Sequence, residues 1–161
     1  MAAVIDGLGH GKNAHLASNL AKERILSNPG LPLDLLMNYV HASSRGTRGA
    51  VVGMALLDTT AGKIFFTGIG NIEGQITGSE RKQGLISVGG IVGHNMRTPR
   101  IYEYEYKVSN CLVLYSDGIA SSWQNMDIDW QEHPQQIAEM ILNNHSRFSD
   151  DATVLVLRNG S

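Results

Sequence analysis

The 161-residue sequence predicts an α+β fold, a sandwich of two antiparallel β-sheets with helices outside. Three observations carry that expectation. The helical segments are segregated from the strands: one strand is followed by two helices, a meander of strands, one more helix and a last strand. A tight glycine-containing loop, Thr59-Thr60-Ala61-Gly62, joins two strand-like runs into a hairpin. Several strand runs are apolar at consecutive positions, which requires cover on both faces.

Taken in order, Ala2–Ile5 reads as a buried strand, and residues 6–11 as a glycine-rich loop. Lys12–Ser27 places Leu16, Ala17, Leu20, Ala21 and Ile25 at helical spacing, and Asn28-Pro29-Gly30 stops the helix. A second helix starts near Pro32, with Asp34 in its first turn and an apolar stripe of Leu33, Leu36, Met37 and Val40. Gly49–Asp58 and Lys63–Ile69 form the hairpin. Ile72–Ile76 and Leu85–Val88 read as short strands. Ile101–Val108 alternates, with Tyr102, Tyr104 and Tyr106 on one face and Glu103, Glu105 and Lys107 on the other. Asn110–Tyr115 is a nearly continuous apolar run. A helix over about 134–144 and a strand over 152–157 complete the chain, with residues 125–132 as an irregular loop.

Composition sets limits on function. The chain is 42% hydrophobic and 17% charged, with a net charge of −2 and no long basic block. Neither nucleic acid nor an anionic membrane is therefore expected as a partner. A domain of this length buries about 68–70% of its unfolded surface and needs no disulfide. The single cysteine, Cys111, sits in an apolar strand and reads as a small buried hydrophobe. There is no signal-peptide pattern and no apolar run of membrane-spanning length, so a cytoplasmic location is expected.

Chemistry is concentrated at three acidic turns. Asp6-Gly7 follows the first strand, Ser116-Asp117-Gly118 follows Cys111–Tyr115, and Ser149-Asp150-Asp151 precedes the last strand. Strand ends hold side chains in place at little entropic cost. Carboxylates gathered in one small site raise one another's pKa unless a cation neutralises them. An oxygen-liganded hard metal is the reading that follows. The loop Asp6-Gly7-Leu8-Gly9-His10-Gly11-Lys12 also invites a phosphate-binding reading, with a ligand-free strand-to-helix turn as the plain alternative. Its spacing matches neither nucleotide pattern: only three residues separate Gly7 from Gly11, and Asn13 follows Lys12. Asn71 reads as a hairpin-turn residue, and Arg45 and Arg48, ahead of a strand, as ordinary surface residues, with bidentate ligation of a substrate phosphate as the alternative. The histidines show no paired zinc spacing.

The segments AVIDGLGHG, TRGAVVGMALLD, FTGIGNI, LYSDGIASSW and SDDATVLVL, in that order, resemble the metal-dependent protein serine/threonine phosphatases of the 2C type. The likeness is greatest to the bacterial branch of stage II sporulation protein E and the stressosome-reset phosphatase. That resemblance implies helices on both outer faces of the sandwich, in α-β-β-α layers, and a centre of two Mn²⁺ or Mg²⁺ ions. It assigns the metals to Asp6, the main-chain carbonyl of Gly7, Asp117 and Asp150, with Asp151 in a supporting place. It implies a metal-activated water attacking phosphorus in line, with no covalent enzyme intermediate. Many relatives place a proton-donating histidine two residues after the first aspartate; Leu8 stands there, and His10 is the available substitute.

Residues 1–161 are thus expected to form one phosphatase-like domain, without the N-terminal strands that relatives carry ahead of the Asp-Gly step. The expected substrate is phosphoserine or phosphothreonine on a regulatory partner, such as a phosphorylated anti-sigma antagonist in a stress or sigma-factor switch. The alternative is a catalytically weak domain that binds such a partner.

Overall fold

The computed structural model describes residues 1–78, 82–147 and 150–159. Strands β1 (Ala2–Gly7), β2 (Ala50–Asp58) and β3 (Lys63–Ile69) precede β4 (Glu73–Thr77) and β5 (Gln83–Gly84). β6 (Tyr102–Glu105), β7 (Cys111–Tyr115) and β8 (Val154–Arg158) follow. Two four-stranded sheets result, ordered β1-β2-β3-β6 and β5-β4-β7-β8, and every neighbouring pair is antiparallel. Helices α1 (Lys12–Leu26) and α2 (Leu33–Ser43) cover the first sheet, and α3 (Pro134–His145) covers the second.

The two-residue period of the strands builds three apolar layers. In β2, Val51 and Ala55 face the second sheet, while Ala50, Val52 and Met54 face Ala21, Leu36 and Val40 of the helices. In β7, Leu112 and Leu114 point between the sheets, while Val113 and Tyr115 meet Ile137 and Ile141 of α3. Phe66, fully buried, fills the middle of the inter-sheet layer. All of β7 is buried, as its unbroken apolar run requires. Cys111 is among these residues, and burial pushes its thiol pKa up, in keeping with a packing role. Among the described residues no helix is long and apolar enough to cross a membrane.

Several boundaries differ from the sequence reading, each for a physical reason. β1 does not stop at Ile5: Asp6 and Gly7 continue it, opposite Val51 and Ala50 of β2. β1 is also an edge strand, half-buried along most of its length. The predicted strand over 85–88 is a crossing between sheets. The Leu85 N–H donates to the Gly74 carbonyl of β4 (2.8 Å), and the Val88 N–H to the Gly68 carbonyl of β3 (2.8 Å). The Tyr104 hydroxyl accepts from the Ile86 N–H between them at 3.0 Å. β6 is shorter than its alternating pattern suggests: it ends at Glu105, and one further bond in the same register, from the Tyr106 N–H to the Gly62 carbonyl (2.8 Å), falls at the hairpin loop where β3 has already ended. A 3₁₀ turn over Ser121–Asn125 leads into the predicted irregular loop, with Trp123 buried edge-on against Tyr115.

Candidate metal centre

The acidic turns come from different sheets. Asp6 lies near the end of β1 in the first. Asp117 follows β7, and Asp150 and Asp151 precede β8, its neighbour in the second. Tyr115 stands opposite Val154, so the two turns of the second sheet lie side by side. Ser116 ties them: its N–H donates to the Thr153 carbonyl and its Oγ accepts from the Thr153 N–H, each at 3.0 Å. The Arg147 N–H donates to the Gly118 carbonyl at 2.8 Å. Ser149, part of the predicted Ser-Asp-Asp turn, lies outside the described residues.

Two glycines make the close approaches possible. A Cβ on Gly118 would sit 2.2 Å from the Asp151 carbonyl oxygen, and one on Gly7 2.1 Å from the Ala14 carbonyl oxygen of α1. No other residue type fits without moving backbone.

Asp6, Asp117, Asp150 and Asp151 line one open cleft of about 820 Å³. Asn71 lines it too, and its Nδ2 donates to Asp117 Oδ2 at 2.6 Å. The hairpin role expected of Asn71 does not hold, because β3 and β4 lie in different sheets: Asn71 sits in the crossing between them, and its amide holds a carboxylate that follows β7. That partner lies far along the chain, so no local pattern announces it. His10 is exposed at the cleft wall. Gly7 is buried beneath the cleft's lining rather than part of it. Arg48 does not line the acidic cleft. Its guanidinium lies against Gly9, and its side chain faces an adjoining cleft of about 710 Å³.

Solved structures that match this arrangement of sheets and helices include bacterial serine/threonine phosphatases. RsbX in complex with magnesium superposes with a TM-score of 0.80 at 15% identity, covering 96% of this chain and 78% of that one. The fold is that of the 2C-type phosphatases. The phosphatase domain of the cell-fate determinant SpoIIE from Bacillus subtilis matches with a TM-score of 0.76 at 20% identity, over 98% of this chain and 53% of that one. A chain from the bacterial stressosome, described as a modular system adapted to control secondary messenger signalling, matches with a TM-score of 0.86 at 26% identity, over 96% and 82% of the two chains. No protein-family model and no curated protein matches the sequence.

On this phosphatase fold the electrostatics of the cleft are those of an anionic site. Burial and the neighbouring charges of Asp117, Asp150 and Asp151 raise the Asp6 carboxyl from 3.8 to about 6. The carboxylates share the cleft without closing into a shell. Among the described residues no three His, Cys, Asp or Glu side chains gather tightly enough to hold an ion by themselves. Mutual repulsion opposes such gathering, and a hard divalent cation is the partner that relieves it. The donor set fits such an ion: every group is an oxygen, and Asp6 is strained by charge that a cation would cancel.

This strain has a pH signature. The folded pKa of Asp6 lies above its unfolded value, so the folded state binds the extra proton between about pH 4 and 6. Stability of the metal-free protein should therefore fall as pH rises through that window and stay lowered above it. Discounted for solvent screening of a half-buried group, the effect is about 1 kcal/mol. Thermal melts in EDTA at pH 4.5 and 7, for wild type and Asp6→Asn, isolate it: the variant should lose less stability than wild type on going to pH 7. An equal loss in both would remove the claim.

Proposed function

We propose that the protein is a metal-dependent phosphatase that hydrolyses phosphoserine or phosphothreonine on a regulatory protein. The observation that carries this reading is the convergence of Asp6, Asp117, Asp150 and Asp151 on one cleft from two sheets of a phosphatase fold. Asp6, Asp117, Asp150 and the Gly7 carbonyl would hold two Mn²⁺ or Mg²⁺ ions. When bound, these cations activate water and offset charge on the phosphoryl oxygens.

The chain's own groups do the rest. Asn71 orients Asp117 by its amide hydrogen bond. Ser116 keeps the two turns of the second sheet in step. Leu8, Val51 and Ile91 give the cleft an apolar wall that limits water. His10, exposed at the cleft wall, would be the group that passes a proton to the leaving oxygen of the substrate. Arg48 meets the substrate beside the reacting group. The substrate is a phosphorylated regulator of the anti-sigma antagonist type, in stress or sigma-factor signalling in the cytoplasm. Support for this branch is the likeness to the stressosome chain and to SpoIIE.

The test is phosphate release from a phosphoserine peptide. It should require Mn²⁺ or Mg²⁺ and stop in EDTA, and Mn²⁺ should raise the melting temperature. A cation at one hundred times its Kd adds about 2.7 kcal/mol. The open spacing of the carboxylates favours a second reading, a weakly catalytic domain that binds its partner. A Mn²⁺-stabilised protein that releases no phosphate would select that reading.

A further inference from the structure

The cleft beside the acidic one has the opposite charge. Arg45, Arg48 and His94 line it, and no carboxylate among the described residues does. The two clefts share Leu8 and Ile91, which form the ridge between them. Among the described residues neither Arg45 nor Arg48 makes an ion pair or a side-chain hydrogen bond, so both guanidinium groups are uncommitted.

The walls of this cleft are fixed. Thr47 Oγ1 donates to the Ser44 carbonyl (2.7 Å) and accepts from the Gly49 N–H (3.0 Å), which shapes the turn carrying both arginines. His94 Nε2 donates to the Thr47 carbonyl at 2.9 Å, and the Gly93 N–H donates to His41 Nδ1 at 3.0 Å. Gly49 lets the opposite wall close down: a Cβ there would lie 2.6 Å from Ile91 Cγ2 and 2.9 Å from His94 Cδ2. Val92 is pinned to Ala50 by a reciprocal pair of backbone hydrogen bonds, at 2.9 and 3.0 Å. Two exposed cations are thus held on a rigid rim over a cavity large enough for a side chain.

We infer that this cleft is a specificity subsite that binds an acidic side chain of the substrate next to its phosphorylated residue. The inference rests on the phosphatase reading for the neighbouring cleft. A phosphoryl group belongs over the four aspartates, where cations would receive it. A peptide crossing the Leu8–Ile91 ridge brings an adjacent residue over Arg45 and Arg48. A planar guanidinium pairs with a carboxylate through two parallel hydrogen bonds, so aspartate or glutamate is the side chain the site selects.

The experiment uses two phosphoserine peptides of equal length, one with aspartate and the other with asparagine on both sides of the phosphoserine. With Mn²⁺ at low salt, kcat/KM should favour the acidic peptide about tenfold. In the double variant R45Q/R48Q that ratio should fall toward one. Equal rates for the two peptides in wild type, or a preference that survives in the double variant, would overturn the subsite. If neither peptide is hydrolysed, the phosphatase reading fails separately, and fluorescence anisotropy of the labelled peptides in Mn²⁺ decides the subsite. Tighter binding of the acidic peptide that is lost in R45Q/R48Q supports it, and equal affinities refute it.

Discussion

Asp6→Asn should lower Mn²⁺-dependent phosphate release by on the order of 1,000-fold, because a divalent cation contributes several kcal/mol to a phosphoryl-transfer transition state. The substitution keeps the size of the side chain and removes its charge. Asp6 is the aspartate of the first sheet in the cleft, so its loss would leave the cations only the Gly7 carbonyl from that sheet. The fold should survive. Asp6 lies on the half-buried edge strand, outside the apolar layers, and removing a carboxylate from among like charges relieves repulsion. The expected pattern is therefore an inactive protein that melts no lower than wild type in EDTA at pH 7 and gains little from added Mn²⁺. Full activity with p-nitrophenyl phosphate in Asp6→Asn, repeated in Asp117→Asn, would defeat the assignment of the metal centre.

Gly118→Ala should damage the site through the backbone. Its new methyl group would meet the Asp151 carbonyl oxygen at 2.2 Å and the carbonyl carbon at 2.8 Å, both main-chain atoms. Backbone cannot rotate away as a side-chain tip can, so the turns bearing Asp117 and Asp150 must part. Overpacking of this kind costs about 1–3 kcal/mol, which lowers the melting temperature by roughly 2–12 °C for a domain of this size. The stabilisation by Mn²⁺ should shrink at the same time, since the ligands have moved. Gly84→Ala is the control, because nothing lies within 4 Å of its added Cβ. Equal melting temperatures and equal Mn²⁺ responses for Gly118→Ala and wild type would show that the turns tolerate the methyl group.

Much of the fold is legible because it is written in local patterns. Gly62 closes the hairpin, the five consecutive apolar residues of β7 need cover on both faces, and the stripe Leu33, Leu36, Met37 and Val40 marks α2. The aspartates follow from the same logic: each stands where an apolar run meets a polar turn, and antiparallel pairing of β7 with β8 brings two of those turns together. What escapes is non-local. Asn71 looks like a turn former until Asp117 is seen beside it. Leu85 and Val88 read as one strand because nothing in four apolar-rich residues tells that each end bonds to a different sheet. Gly7 reads as a loop residue, yet it continues β1 so that α1 can lie close above it. The direction of Arg48 depends on how the turn at Thr47 is folded, which its neighbours in sequence do not reveal.

The two sheets meet through a close-packed apolar layer, tied at its edges by a few polar contacts such as Asn71 with Asp117. Asp6 rides on one sheet, and its fellow carboxylates ride on the other. An ion gripped from both sides would act as a rivet between the layers, so that metal lost from this corner also removes a clasp from the sandwich.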